Sequence, residues 1–234
     1  MHLTRPEQAT DFQKYDNMTK IIIYTGLSLT FSEAKEILDS HDDIEVIYKR
    51  PIQRGDLNLA LKENPNIIGI IDGVFHQNSA VGHKEILNVI KKGIDVYGAS
   101  SMGALRASEL DVLGMRGIGY VYAQYASGEV DSDDEVAVML DSETLEALSE
   151  PLINMKYVFE NATTQNIITE DEKDELLQIA KKTYYPKRNY AQTLSSSTLD
   201  DDKKGKLIDF IRQSVDIKKE DAKDLIKCIK QEVE

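Results

Sequence analysis

Two short isoleucine-rich runs, Lys20-Ile21-Ile22-Ile23-Tyr24 and Ile67-Ile68-Gly69-Ile70-Ile71, narrow the folds open to this chain. A strand with one wet face alternates apolar and polar residues. An unbroken apolar run marks a strand covered on both faces, as in parallel sheets flanked by helices. Ile44 to Tyr48 and Ile94 to Tyr97 are shorter candidates of the same kind. Helix signals fall between them. Thr30-Phe31-Ser32-Glu33 has the form of a capping box, and Asp56 can cap a helix running to about Lys62. Asn78 or Ser79 can open another helix, which Gly93 stops. The order β-α-β-α-β-α-β-α predicts an α/β fold with a mainly parallel sheet sandwiched by helices.

Beyond about Tyr120 the pattern turns helical. Leu145 to Phe159 is periodic around Leu148, Leu152, Met155 and Phe159, and Thr169-Glu170-Asp171-Glu172 caps a helix burying Leu176, Leu177 and Ala180. Leu207, Ile208, Ile211 and Val215 mark a further helix, and Leu225, Ile226 and Ile229 the last, while Ser195 to Asp202 reads as a linker. The expected organisation is an N-terminal tail (1–19), an α/β core (20–125) and a C-terminal all-helical subdomain (126–234). That subdomain would either lie beside the sheet or present a docking face.

The formal charge is −13, with 41 acidic against 28 basic residues. Nucleic acid binding rests on neutralising phosphates with Lys and Arg, so this balance argues against it. The acidity serves solubility or meets a basic partner. With the single cysteine Cys228 no internal disulfide can form, and a cytoplasmic setting is expected. No apolar run reaches the length of a membrane span, and no secretory signal is legible.

Candidate chemistry concentrates between Ile67 and Leu110, where each polar cluster follows a predicted strand. Such turns share the carboxyl edge of a parallel sheet, where ligands bind. Ala99-Ser100-Ser101-Met102-Gly103 matches the G-x-S-x-G nucleophile elbow with alanine at the first glycine. Ser101 is then a candidate nucleophile, with the Met102 and Gly103 amides at the following helix's start facing a developing anion. The plain alternative is an ordinary turn with serine as N-cap. His83 and Lys84 are candidate bases. Neighbouring helix residues diverge by about 100°, so at most one points squarely at the site. Histidine can act near neutral pH, lysine only if its pKa is depressed. Glu85 can orient one of them, or all three can form a solvated face.

Asp72-Gly73 ends the third strand. Asp72 can hold a base or a metal, and Gly73 can leave an amide for an oxyanion. Gly26 and Ser28 form a similar turn after the first strand, but Thr25-Gly26-Leu27-Ser28 lacks the spacing of a phosphate-binding loop. Arg106 can bind a carboxylate or pair with Glu109. Asp131, Asp133, Asp134 and Glu135 have the carboxylates for a divalent cation but no EF-hand spacing, and a solvated helix start explains them better. His41 and His76 read as loop residues and Cys228 as core. No cofactor and no metal are expected.

These residues carry a family pattern. The blocks are Ile70-Ile71-Asp72-Gly73-x-Phe75, Ala80-Val81-Gly82-His83-Lys84-Glu85-Ile86-Leu87 and Tyr97 through Leu110. Fainter echoes follow in Gly114-Met115-x-Gly117-x-Gly119, Asp133 to Ala137 and Tyr184-Tyr185-Pro186-x-Arg188. From about residue 20 to about 190 the chain resembles the TfuA-like family, partners of YcaO enzymes in peptide and protein backbone thioamidation. Where that family often has Gly-Pro-Ser-Leu, this chain has Gly26-Leu27-Ser28-Leu29. The resemblance implies that the protein hydrolyses a thiocarboxylate on a ThiS-like, ubiquitin-like sulfur carrier, releasing sulfide beside the YcaO enzyme. Ser101 would be the nucleophile and Lys84 or His83 the base or charge-neutraliser, with Asp72 beside them. The Gly73, Met102 and Gly103 amides would face the oxyanion, and Arg106, Gly26 and Ser28 would border the substrate. The Ala99–Ala104 turn also resembles, over a few residues, the serine turn of ClpP-type peptidases. Other classes remain open: a non-catalytic adaptor binding YcaO and its peptide substrate, or a small-molecule-binding domain.

Overall fold

A computed structural model describes residues 18–41, 43–75, 79–139 and 147–234. Most of the expected tail, together with His76, Asn78 and Leu145, lies outside the described residues. Among the described residues five strands form one all-parallel sheet: β1 (Thr19–Tyr24), β2 (Ile44–Lys49), β3 (Ile67–Ile70), β4 (Asp95–Ala99) and β5 (Arg116–Ile118). Their order is β2-β1-β3-β4-β5. β1 and β3 are therefore neighbours, and the connections leave them in opposite directions. That is the topological switch point at which open α/β sheets bind ligands.

The apolar runs are unbroken because each residue has a helix over it. Ile21 and Ile23 join Ala34 of α1 (Phe31–Ile37) and Ala222, Leu225, Ile226 and Ile229 of α10 (Ile217–Val233). Ile22 and Tyr24 face the other way, onto Leu57 of α2 (Asp56–Ala60), Ile86 and Val89 of α3 (His83–Ile90) and Ala107 of α4 (Met102–Leu110). The last helix, grouped by its sequence with the helical region, thus covers one face of the sheet. Gly69 admits it: a Cβ there would lie 3.0 Å from Leu225 Cδ2 and 3.2 Å from Ile229 Cδ1.

The helical region, α6 (Leu152–Thr164), α7 (Glu170–Lys182), α8 (Tyr190–Ser195) and α9 (Asp201–Gln213), has its own core around Phe159, Leu176 and Leu207. A further cluster joins it to the sheet: Ala104, Val121 and Tyr125, the latter two on α5 (Gly119–Ala126), meet Val136 and Ile153.

Several local expectations need correcting. The helix placed after Asn78 or Ser79 begins at His83. Its N-cap is Gly82, and Glu85 supplies the side chain, its carboxylate accepting from the Gly82 and Gly55 amides. Asp56 is the first residue of α2 rather than its cap, and Gly55 at φ +90 precedes it. Leu148 is exposed ahead of α6, whose start Pro151 sets. Ser195 to Asp202 is no loose linker: Leu199 is buried in the helical core and Asp200 caps α9. Among the described residues no helix is long and apolar enough to cross a membrane.

Candidate functional site

At the carboxyl edge, β4 turns into α4 within two residues. Ser100 adopts a left-handed φ of +68, and across it the Ser101 amide donates to the Ala99 carbonyl at 2.8 Å. Such three-residue turns are strained for a residue with a Cβ, and strain of this kind collects at functional corners. The close approach of α4 to the sheet enforces it. Gly103 N–H donates to the Ile71 carbonyl at 3.2 Å, and a Cβ on Gly103 would lie only 1.8 Å from the Ile70 oxygen. The second small position of the elbow motif therefore exists for packing. Its amide is already engaged, so the expectation that Gly103 faces an anion gives way to this role. Ser101 becomes the N-cap of α4, yet its side chain makes no capping hydrogen bond. It borders a cavity of about 270 Å³, just below the ~300–1,000 Å³ usual for ligand pockets.

The cavity's other walls come from every part of the chain. Leu27 follows β1, Pro51 follows β2, and Asp72 and Gly73 follow β3. Val136 to Val138, Tyr185 and Lys218 close it from the helical side. Asp72, buried, accepts from the amides of Gly26 and Ser28 through Oδ2, both at 2.9 Å, and from Ser28 Oγ at 2.7 Å through Oδ1. Gly26 and Ser28 are thus brought to the site through Asp72, which pins the first loop across the switch point. A carboxylate so engaged orients its surroundings.

His83, Lys84 and Arg106 stand elsewhere. His83 and Arg106 line an adjoining, more open groove of about 510 Å³, which meets the Ser101 cavity at Phe75. His83 Nε2 lies 2.7 Å from Glu109 Oε2, and Arg106 donates to the same oxygen at 2.6 Å and to the Val81 carbonyl at 3.0 Å. Lys84 is exposed and borders neither hollow. The expected meeting of Ser101 with these two bases is therefore not what the geometry provides: Asp72 and Gly73 share the serine's cavity, His83 and Lys84 do not. The reason is the helix start at His83, which places both side chains on the outer face of α3.

The acidic stretch was expected to be a solvated helix start. Instead Glu135 is buried, with Lys181 Nζ at 3.3 Å, and Asp134 is 3.0 Å from the guanidinium of Arg188. Burial pushes Glu135 up from the ordinary carboxylate range. Burial also works against the charge on Asp134, but hydrogen bonds from Ser132 and Arg188 outweigh it and hold that pKa down. Arg188 is 1% exposed and donates as well to the carbonyls of Ala180 and Asp134. This clamp fixes the segment that carries Val136 to Val138 into the cavity wall.

Sequence reasoning missed Lys218. It sits in the first turn of α10, is 5% exposed, and its Nζ donates to the Val136 carbonyl at 2.8 Å. Among the described residues no carboxylate lies within ion-pair distance of it. Burial pushes its pKa below the ordinary lysine value, and the more distant Asp72, Asp216 and Glu150 only partly oppose that. An unpaired buried charge costs several kcal/mol, whereas one hydrogen bond from a charged group returns roughly 1.5–3 kcal/mol. A structural fastening at this position would be better made by an apolar side chain. The signal was available: 218, 222, 225 and 229 share one helical stripe, and a lysine stands on it among Ala222, Leu225 and Ile229.

Compared with known proteins, residues 72–189 match a family model described as TfuA-like protein. That is half of the 234-residue chain, from the clamp aspartate Asp72 to just past Arg188. No curated protein matches the chain.

Proposed function

The chain belongs to the TfuA-like family, and from that premise we propose that it releases sulfide by hydrolysing the C-terminal thiocarboxylate of a ThiS-like, ubiquitin-like carrier, in support of a YcaO enzyme that thioamidates a peptide or protein. The observation that carries this reading is Ser101: a serine on a strained elbow, its hydroxyl not spent on capping the helix, bordering a small cavity at the switch point of a parallel sheet. A cavity of this size excludes a folded domain but admits the end of an extended chain.

The chemistry follows from the charge on the substrate. A thiocarboxylate is a poor electrophile because its negative charge is delocalised onto the carbonyl. Attack by Ser101 Oγ concentrates charge on the oxygen, where the amides of Gly73 and Met102 and the N-terminus of α4 would stabilise it. Collapse breaks the C–S bond, the serine proton departs with the sulfur as hydrosulfide, and an ester remains on Ser101. Water then clears that ester, giving carboxylate and free serine. His83 and Arg106, in the adjoining groove, would hold the approach of the carrier's tail, and Lys84 would meet the carrier's surface.

The test is sulfide release from a purified thiocarboxylated carrier. Ser101→Ala should lower the rate roughly 10³-fold or more, with the melting temperature preserved. Near-normal release by this variant would overturn the hydrolase reading. Undiminished thioamidation in the presence of YcaO would favour a non-catalytic adaptor instead.

A further inference from the structure

We infer that Lys218 is the proton carrier for Ser101, so that the last helix, outside the family-matched segment, supplies half of the reacting pair. This inference rests on the nucleophilic role proposed for Ser101. Its ground is geometric. The two residues come from opposite ends of the fold, one on the elbow after β4 and one at the start of α10, and both border the same cavity. Asp72 and Lys218 are the only charged residues among the described ones that line it, and the oxygens of Asp72 are occupied by Gly26 and Ser28. The two candidate bases read from the sequence, His83 and Lys84, are not among its lining residues.

Lys218 suits the task. It is buried with no ion pair among the described residues, and it lies in the first turn of a 17-residue helix, where the helix dipole disfavours a cation. Both conditions favour the neutral amine, the form that can accept a proton. Three carboxylates face it from the elements around it: Asp72 after β3, Asp216 at the cap of its own helix and Glu150 before α6. None is close enough to lock it as an ammonium. Nζ now donates to the Val136 carbonyl, and rotation about the flexible lysine stem re-aims it within the cavity.

The proton balance closes. As the Oγ–C bond forms, the amine takes the serine proton. As the C–S bond breaks, the ammonium gives that proton to sulfur, and hydrosulfide leaves. In the second half the amine takes a proton from water as its oxygen attacks the ester carbon. It then returns that proton to Ser101 Oγ as the ester bond breaks, and the new carboxylic acid ionises to solvent.

The experiment uses a probe that needs no carrier: the rate at which an alkyl fluorophosphonate labels Ser101 in the full chain, followed by intact mass. Lys218→Met should label at least 10²-fold more slowly than the unmodified chain. Lys218→Ala should recover labelling on addition of methylamine, more strongly with more basic small amines. In the unmodified chain the labelling rate should rise with pH through an inflection below 10.5, the ordinary lysine value. Labelling by Lys218→Met within a few-fold of normal, or a pH profile flat between about 6 and 10, would overturn the inference. The profile decides the matter if the variants fail to fold. Lysine-dependent labelling without sulfide release would uphold the pair and sink the thiocarboxylate substrate.

Discussion

The two hollows that meet at Phe75 are built on opposite terms. The Ser101 cavity is enclosed by buried groups whose partners are fixed: Asp72 on two amides and a hydroxyl, Arg188 on three carbonyls and a carboxylate, Lys218 on one carbonyl. The groove beside it is open, and its ion pairs are partly in water: the His83 side chain is 50% exposed and that of Glu109 36%. Charge in the first place is dear and rigid; charge in the second is screened and replaceable. An enclosed site can shift the proton affinity of its groups, whereas an open one can only attract and guide.

The contrast can be broken at four places. Arg188→Ala should have the largest effect, roughly 3–5 kcal/mol, because it orphans buried carbonyls and releases Asp134. In a chain of this size that is a melting temperature lower by roughly 10 °C. A variant melting within a degree of the parent would show that Arg188 does not hold the cavity wall.

Asp221 tests how α10 is fastened. Its carboxylate accepts from the amides of Tyr120 and Val121 at the start of α5, at 2.8 and 2.7 Å. Burial nevertheless raises its pKa from 3.8 to about 6, against the pull of those two amides. The native state therefore binds this proton more tightly than the unfolded chain. The associated stabilisation is present below about pH 4 and is lost as pH rises through about 6. Its size is on the order of 3 kcal/mol. Stability profiles from pH 4 to 7 should differ by this slope between the parent and Asp221→Asn. Parallel profiles would refute the shift.

Gly103→Ala comes next, at roughly 1–3 kcal/mol. The new methyl group would meet the backbone of β3, which cannot yield as a side chain can, so α4 must lift and carry Ser101 with it. Calorimetry should register the loss, and fluorophosphonate labelling should slow as well. Labelling at the parent rate would mean that the elbow does not depend on this contact. The smallest effect belongs to the groove. His83→Gln should change stability by less than about 1 kcal/mol, and less still in high salt. A larger loss in denaturant titration would erase the distinction drawn between the two hollows.

What could be read in advance follows the same division. Burial on both faces writes itself into consecutive residues, so Ile21 to Ile23 and Ile67 to Ile71 announced the parallel sheet. The elbow was equally legible, because its geometry requires small residues at fixed spacing around Ser101. β5 was not: Arg116-Gly117-Ile118 is three residues long, and Gly117 is needed because the Tyr122 ring lies 2.1 Å from where its Cβ would be. The start of α3 was misplaced because Gly82 has no side chain with which to signal a cap. Lys218 left only a faint mark, a lysine on the apolar stripe of Ala222, Leu225 and Ile229. Its partners, Val136 and the Ser101 cavity, are set by tertiary packing, which the stripe alone does not disclose.

The path of α10 back across the sheet also orders events at the ribosome. Domains fold as their segments emerge, yet the serine elbow is translated long before Lys218, and until α10 arrives Ile21 and Ile23 lack part of their cover. A nascent chain thus holds the serine but neither the Lys218 wall of its cavity nor a fully shielded sheet. Completing the hydrophobic layer over β1 and bringing Lys218 to the cavity that Ser101 borders are one step.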